Sequence, residues 1–105
     1  MNYDIETYGH EVEKLIITSH NTRLVENTLG LVGEAGEVAE KVKKFYRDNE
    51  ISSDEIVKEL GDVLFYVTAL ANHLGSNLQQ VANANIKKLH DRRDRNKIKG
   101  SGDNR

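Results

Sequence analysis

Proline is absent from all 105 residues of the chain, and this absence is the strongest constraint on how the chain can fold. A proline in a helix interior costs about 3 kcal/mol, so a chain without proline can form long uninterrupted helices. Apolar residues recur at intervals of three and four along most of the sequence, which is the spacing of one helix face. We therefore expect an all-α fold.

The order of apolar stripes and capping residues predicts four helices. Ser52, with Glu55 three residues later, has the pattern of a capping box at the start of the third helix. Gly75 is typical of a residue that ends a helix, and Asn77 of one that begins the next. The predicted helices span residues 5–16, 22–47, 53–74 and 78–95. Two long central helices with shorter N-terminal and C-terminal helices make a small four-helix bundle-like domain over residues 1–95, followed by a loop or tail over 96–105.

Each predicted helix carries an apolar stripe that is expected to face the interior of the domain. A chain of 105 residues nevertheless leaves much of its surface in water unless it associates with another copy, so we also expect a homo-oligomer. The stripes are Ile5, Tyr8, Val12, Leu15 and Ile16; Val32, Ala35, Val38, Ala39, Val42, Phe45 and Tyr46; Ile56, Leu60, Val63, Leu64, Val67, Leu70, Ala71 and Leu74; and Leu78, Val81, Ala82, Ile86 and Leu89.

The composition excludes several classes of protein. Cysteine is absent, which excludes disulfides and thiolate metal sites. The longest apolar runs fall far short of the roughly 20 residues of a membrane span. The N-terminal stretch MNYDIETYGHE carries acids where a signal peptide would carry basic residues. We therefore expect a cytoplasmic protein that makes no use of a membrane.

The charge of the chain is unevenly distributed. Its net charge is −2, but residues 87–99 hold seven Lys and Arg against two Asp, a net +5 that leaves −7 for the rest. An acidic body with a basic end suggests that the chain handles both a cation and an anion.

Two short motifs repeat one pattern of residues on two different predicted helices. EAGEV at residues 34–38 and ELGDV at residues 59–63 both read acid, apolar, glycine, acid, valine. At about 100° per residue, the two acids of each motif lie on the same edge of the apolar stripe of their helix. If the two stripes pack against each other, four carboxylates converge at the margin of the core, namely Glu34, Glu37, Glu59 and Asp62.

Four converging carboxylates would repel one another. Two unit charges about 4 Å apart interact by about 4 kcal/mol at an effective dielectric constant near 20, so protonation or a bound cation has to offset the repulsion. Neither motif contains histidine or cysteine, and oxygen-only ligands favour Mg²⁺, with Mn²⁺ as its substitute. The alternative is that the acids are solvated residues of the helix surfaces, which explains any one of them more simply but not the matched set.

The residues around the first motif allow two interpretations. Lys41 and Lys44 follow Glu37 on the same side of the helix, where they either contact phosphates or form i, i+4 ion pairs with Glu37 and Glu40. Glycines at the centre of each motif, Gly36 and Gly61, would permit a neighbouring backbone to come close.

The stretches GLVGEAGEVAEKVKK and ELGDVLFYVTALANHLG look like the E-x-x-E and E-x-x-D motifs of one family. The chain resembles the MazG-type nucleoside triphosphate pyrophosphohydrolases from about residue 3 to its end. The resemblance implies Mg²⁺-dependent hydrolysis of a nucleoside triphosphate between its α and β phosphates, in homodimers or homotetramers. It also implies that the four acids of the two motifs are the metal ligands. Gly9 and His10 depart from the glutamine that related sequences often show after Tyr8.

Further site residues are candidates for catalysis and phosphate binding. Glu34 or Glu37 could take the proton of the attacking water, and the sequence leaves both open. Asn85, Lys88 and Arg92 share one helix face and could bind an anion together, in a stretch, NIKKLHDRR, that resembles the family's phosphate-facing helix. Alternatively, the two cations only complement the helix dipole. The resemblance places the tail GSGDNR near the active site.

Three competing functions are less favoured. A di-iron carboxylate bundle requires E-x-x-H on two helices, and the chain contains no E-x-x-H. A non-catalytic helical dimer could bind nucleic acid through residues 87–99, but that segment lacks interleaved aromatic residues and the acidic body would repel a long polyanion. A bundle that only dimerises would leave the alignment of the four acids unexplained.

Overall fold

A computed structural model describes residues 2–49, 52–96 and 102, and these form four α-helices. The helices are α1 (Ile5–Leu15), α2 (Arg23–Asp48), α3 (Ser53–His73) and α4 (Leu78–Asp94). Since the described residues contain no strand, the all-α prediction is confirmed, and the predicted ends lie within one residue of the observed ones. Of the predicted tail over 96–105, residues 97–101 and 103–105 lie outside the described residues.

Local signals in the sequence set the helix ends. The N–H of Ser52 donates to the carboxylate of Glu55 at 3.1 Å in the predicted capping box of α3. Gly75 follows α3 with φ of +79°, a left-handed conformation that glycine adopts without steric strain. The side chain of Asn77 accepts a hydrogen bond from the N–H of Gln80 at 2.9 Å and caps α4.

The helix α3 contacts the other three helices. In the described part of the chain, α2 runs alongside α3 alone, whereas α1 and α4 pack against α3 and against each other. Arg23, at the start of α2, donates to the carbonyl of Ala69 near the end of α3 at 3.1 Å, so the two long helices are antiparallel. Arg23 also pairs with Glu13 of α1. This arginine therefore joins three helices at one end of the molecule.

The interior of a single chain is small and partly polar. Among the described residues, the buried side chains are Val12, Ala69 and Ala71, which are apolar, and Asn27, Thr68 and Arg92, which are polar. The hydroxyl of Thr68 donates to the carbonyl of Leu64 at 2.7 Å, which satisfies it inside α3. One chain thus buries little apolar surface.

The prediction that the apolar stripes face the interior is wrong for many of their residues. Val32 is 65% exposed and Tyr46 82% exposed on α2, and Leu74 is 67% exposed on α3. The same holds for other predicted core positions, namely Ile5, Leu15, Ala35, Ala39, Leu60, Leu64, Val81 and Ile86. The reason is geometric: within the described residues α2 packs along its length against α3 alone and can bury only one strip of its surface there.

The accessible surface also exceeds that of a compact chain. It amounts to 7834 Å², whereas a compact monomer of this mass exposes about 5,900 Å². Val25, Leu29 and Val32 are exposed on α2 at spacings of four and three residues, which places them on one helix face. An exposed apolar face of this kind is typical of an interface between protein copies. Within the described residues, no helix combines the length and the hydropathy needed to cross a bilayer.

Candidate metal centre

Three carboxylates meet where α2 lies against the first half of α3. One oxygen from each of Glu34, Glu59 and Asp62 lies within 4.8 Å of the others. Glu59 and Asp62 are three residues apart and share one face of α3, and Glu34 reaches them from α2. Glu34 and Glu59 are half-buried and Asp62 is exposed, so the group is open to solvent on one side.

The electrostatics of the group disfavour three free negative charges. Burial and neighbouring negative charges raise the pKa of the Glu34 carboxyl above its ordinary value. These charges belong, in decreasing order of effect, to Asp62, Glu59 and Glu37. A cation bound among the carboxylates would relieve the repulsion that the fold imposes.

The chemistry of the donors fits a hard divalent cation. All three donors are carboxylate oxygens from Glu34, Glu59 and Asp62, which suit Mg²⁺ or Mn²⁺ rather than a soft metal. Mg²⁺ keeps several water ligands and is commonly held by a few carboxylates together with substrate phosphates. A group of three carboxylates with one open side matches that requirement.

The fourth predicted ligand, Glu37, lies outside this group. It is exposed on α2, three residues after Glu34, and its charge still reaches Glu34. Glu40, one turn further, pairs with Lys43 at 3.6 Å rather than with Lys44. The expected convergence of four carboxylates is therefore observed for three, and a role of Glu37 in metal binding stays a prediction.

The helix α1 borders the same site through Tyr8, which sequence reasoning did not include among the site residues. Burial, and then the charge of Asp62, raises the pKa of the Tyr8 phenol. The sequence signal was present, because Tyr8 belongs to the apolar stripe of α1, but only the packing of α1 on α3 brings it towards Asp62. The Tyr8 phenol is thus near enough to Asp62 to be affected by its charge.

The glycines near the site do not behave as predicted. A side chain at Gly36 or Gly61 would meet open space in this chain, so the expected close approach at these positions is wrong. The close approach is found at Gly30 instead, where the ring of Tyr66 lies directly on the helix backbone. The register between the two helices decides which glycine meets a residue of the neighbouring helix. The periodicity of one helix does not reveal this register.

The predicted phosphate-binding residues lie on two helices. Lys41 and Lys44 are half-buried on α2 beyond the carboxylates. On α4, Asn85 is exposed, Lys88 is half-buried and Arg92 is buried. Because α4 packs against α1 and α3 but not along α2, the contribution of its residues to the carboxylate site stays a prediction.

The buried Arg92 contacts the end of the chain. Its guanidinium donates to the carbonyl of Gly102 at 3.3 Å. This contact brings one residue of the predicted tail onto α4, while the remaining positions of GSGDNR lie outside the described residues.

A separate cleft of about 600 Å³ lies between α1 and the turn from α3 to α4. Gly9, His10, Asn72 and Gln80 are among its lining residues, and the side chain of Asn72 donates to the carbonyl of Gly9 at 3.1 Å. None of the three clustered carboxylates lines this cleft. Because no Lys or Arg is among its lining residues, it lacks the cationic groups that phosphate chemistry requires.

Comparison with known proteins agrees with the sequence motifs. The family model described as MazG nucleotide pyrophosphohydrolase domain matches residues 23–96, which include all three clustered carboxylates. The chain is also similar to a protein of Mycobacterium phage L5 named Gene 37 protein, with 52% identity over 83 residues, covering 74% of this chain and 73% of the relative. That name states no activity. No solved structure matches the chain.

Proposed function

Because this chain belongs to the MazG nucleotide pyrophosphohydrolase domain family, we propose that it hydrolyses nucleoside or deoxynucleoside triphosphates to the monophosphate and pyrophosphate. The reaction depends on Mg²⁺, for which Mn²⁺ can substitute, and serves the upkeep of the cytoplasmic nucleotide pool. One observation carries the proposal: one carboxylate oxygen from each of Glu34, Glu59 and Asp62 lies within 4.8 Å of the others.

The residues of the site divide the chemistry among them. Glu34, Glu59 and Asp62, with Glu37 as the fourth ligand, hold the cation, which when bound supplies charge neutralisation for the triphosphate and polarises a water. Glu34 or Glu37 accepts the proton of the attacking water, which needs a carboxylate within hydrogen-bond reach of that water.

Cationic and amide side chains hold the phosphates. Positive charge beside a transferring phosphoryl group stabilises the transition state, in which charge spreads over the phosphate oxygens. The residues proposed for this role are Lys41, Lys44, Asn85, Lys88 and Arg92.

The working form is a homodimer or homotetramer. The stripe of exposed apolar residues on α2, together with the small core of one chain, supports association with a second copy. No observation favours nucleic acid as the partner, and Arg92 in the basic segment is buried rather than offered to a polyanion.

The experiment is pyrophosphate release from a panel of NTPs and dNTPs by the purified chain with Mg²⁺. We expect turnover of at least one nucleotide by the wild-type protein. Glu34→Gln, Glu59→Gln and Glu37→Gln should each lower kcat by about 100-fold or more, as loss of a charge-stabilising group does in other active sites. Glu40→Gln is the matched control, because Glu40 lies on the same helix and pairs with Lys43.

Two results would contradict the proposal. One is the absence of turnover across the whole panel, and the other is full activity of both Glu34→Gln and Glu59→Gln. Salt-dependent binding of DNA or RNA by a protein that turns over no nucleotide would instead support the non-catalytic alternative.

A further inference from the structure

The ring of Tyr66 occupies the place where a side chain of residue 30 would stand. A Cβ atom built on Gly30 would lie 2.4 Å from Cε1 of Tyr66, 2.5 Å from Cζ and 2.9 Å from Cδ1. Carbon atoms that are not bonded to each other normally approach to about 3.5–4.0 Å. The ring can sit where it does only because residue 30 has no side chain.

This contact lies one helical turn away from the three carboxylates. Gly30 precedes Glu34 by four residues on α2, and Tyr66 follows Asp62 by four residues on α3. Residues four apart lie on the same face of a helix, so the contact and the carboxylates belong to the same side of the antiparallel pair. The distance between α2 and α3 at Gly30 therefore also affects the distance between their carboxylates one turn away.

We infer that Gly30 is a positioning residue: the ring of Tyr66, seated on the bare backbone of Gly30, sets the distance between α2 and α3 at which Glu34 meets Glu59 and Asp62 around a cation. This inference rests on the proposed metal site. A methyl group at position 30 would force the ring and the helix backbone apart by about 1 Å to restore a normal contact. Mg²⁺ demands oxygen ligands at about 2.0–2.1 Å in near-ideal octahedral geometry, so a displacement of that size separates the ligands.

The other glycines of α2 supply the contrast. A side chain added at Gly33 or Gly36 would meet no atom within 4 Å. A glycine inside a helix is less stable than alanine by about 1 kcal/mol, so alanine should favour the helix at positions 30 and 33 alike. Only at position 30 does the added methyl meet the neighbouring helix.

The test measures the affinity of the metal-free, full-length protein for Mn²⁺ by titration calorimetry. Gly30→Ala should weaken binding by about tenfold or more, comparable to the loss when supporting residues of metal sites are changed. Gly33→Ala should bind Mn²⁺ as the wild-type protein does. Circular dichroism at the titration temperature verifies that each variant is folded, and light scattering that each keeps the wild-type assembly.

A double variant separates positioning from a general loss of structure. Tyr66→Leu removes the two ring carbons closest to position 30, Cε1 and Cζ, and the remaining Cδ atoms belong to a flexible side chain that can turn away from the added methyl. Adding Gly30→Ala to Tyr66→Leu should therefore change Mn²⁺ affinity by no more than about twofold, although the same methyl weakens binding about tenfold beside tyrosine. If Gly30→Ala alone fails to fold, the test uses the double variant. The inference requires this variant to fold and to bind Mn²⁺ with the affinity of Tyr66→Leu.

The outcomes separate the two proposals. A wild-type protein that binds no Mn²⁺ removes the metal site of the proposed function, and the inference with it. A wild-type protein that binds Mn²⁺, together with a Gly30→Ala variant of equal affinity, overturns the inference alone. A double variant that binds more weakly than Tyr66→Leu by the full tenfold also overturns it.

Discussion

The two faces of α2 differ in chemistry, and the difference is the reverse of what a single domain normally shows. The face towards α3 carries Arg23, Asn27, Gly30 and Glu34, spaced by four, three and four residues. The face turned away carries Val25, Leu29 and Val32, which are 63%, 66% and 65% exposed. In this first half of α2 the polar face is covered within the chain and the apolar face is not, whereas further along the helix Val38, Val42 and Phe45 are half-buried.

On α2, the residues of the candidate site and the apolar residues that could stabilise the protein by burial therefore lie on different faces. Burying an exposed aliphatic side chain stabilises a protein by about 1.5–3 kcal/mol. Within one chain, the apolar face of α2 is not buried and does not provide this free energy. The face towards α3 contributes instead an ion pair, a glycine contact and a carboxylate group. We therefore expect the apolar face to be covered by a second copy, and the polar face to be kept for its site.

The largest expected effect comes from placing a charge on the apolar face. Leu29→Glu exchanges two residues of similar helix propensity, so the helix itself should persist. Each copy of a dimer would lose about 1.5–3 kcal/mol of apolar burial and would bury a charge, which raises the dissociation constant about 100-fold or more. Sedimentation velocity should show an assembly for the wild-type protein and monomers for Leu29→Glu.

The matched control for this substitution lies on another helix. Leu15 of α1 is 65% exposed, nearly the same fraction as Leu29, but it stands outside the apolar face of α2. Leu15→Glu should leave the assembly intact. A wild-type protein that is monomeric at assay concentrations, or two variants that dissociate equally, would contradict the division between the two faces.

A smaller effect is expected from the polar face, at Asn27. This residue is only 4% exposed, and its Nδ2 group has no hydrogen-bond partner in the described structure. A buried donor without a partner costs about 1–3 kcal/mol, so Asn27→Leu should raise the free energy of unfolding by about 1 kcal/mol or more. Urea denaturation at fixed protein concentration measures it.

The control for Asn27→Leu has to remove the gain in helix propensity. Asn83 is exposed on α4, and Asn83→Leu gives the same gain in propensity without removing a buried donor. The difference in the free energy of unfolding between the two variants then gives the effect of removing the buried amide. If Asn27→Leu is less stable than the wild-type protein, the amide is satisfied in solution and the polar face contributes to stability after all.

The sequence predicted the helices well because their ends depend on local interactions. The caps at Ser52 and Asn77 and the left-handed Gly75 act within a few residues of chain, and all three are found in the structure. The direction in which each apolar stripe faces depends on the partner, and periodicity alone does not distinguish a stripe buried within a chain from one buried between chains. This is why Val32 and Tyr46 were misplaced.

The site was predictable in part for the same reason. The repeated motif indicated that Glu34, Glu59 and Asp62 would lie close together, since each motif marks the same edge of its stripe. The approach of Tyr8 and the contact at Gly30 depend on the register and packing of helices far apart in sequence. No pattern within one helix carries that information.

The smallest expected effect concerns the ion pair at the beginning of the polar face. Hydrogen bonds from Arg23 are the main reason that the pKa of Glu13 lies below its ordinary value. A carboxylate whose pKa is lower in the folded state stabilises the fold above its unfolded pKa, near 4.3, and the contribution is lost as the pH falls through the folded pKa. Because the Glu13 side chain is 42% exposed, solvent screening limits the effect to about 1 kcal/mol or less.

Urea denaturation between neutral pH and about pH 3 should therefore show a steeper loss of stability for the wild-type protein than for Glu13→Gln. Glu11→Gln serves as the control, because Glu11 forms an exposed i, i+3 pair with Lys14 at 3.0 Å and should follow the wild-type curve. Parallel curves for the wild-type protein and Glu13→Gln would mean that Arg23 gains nothing from Glu13 in solution. Arg23 would then stabilise the start of α2 through its bond to the carbonyl of Ala69.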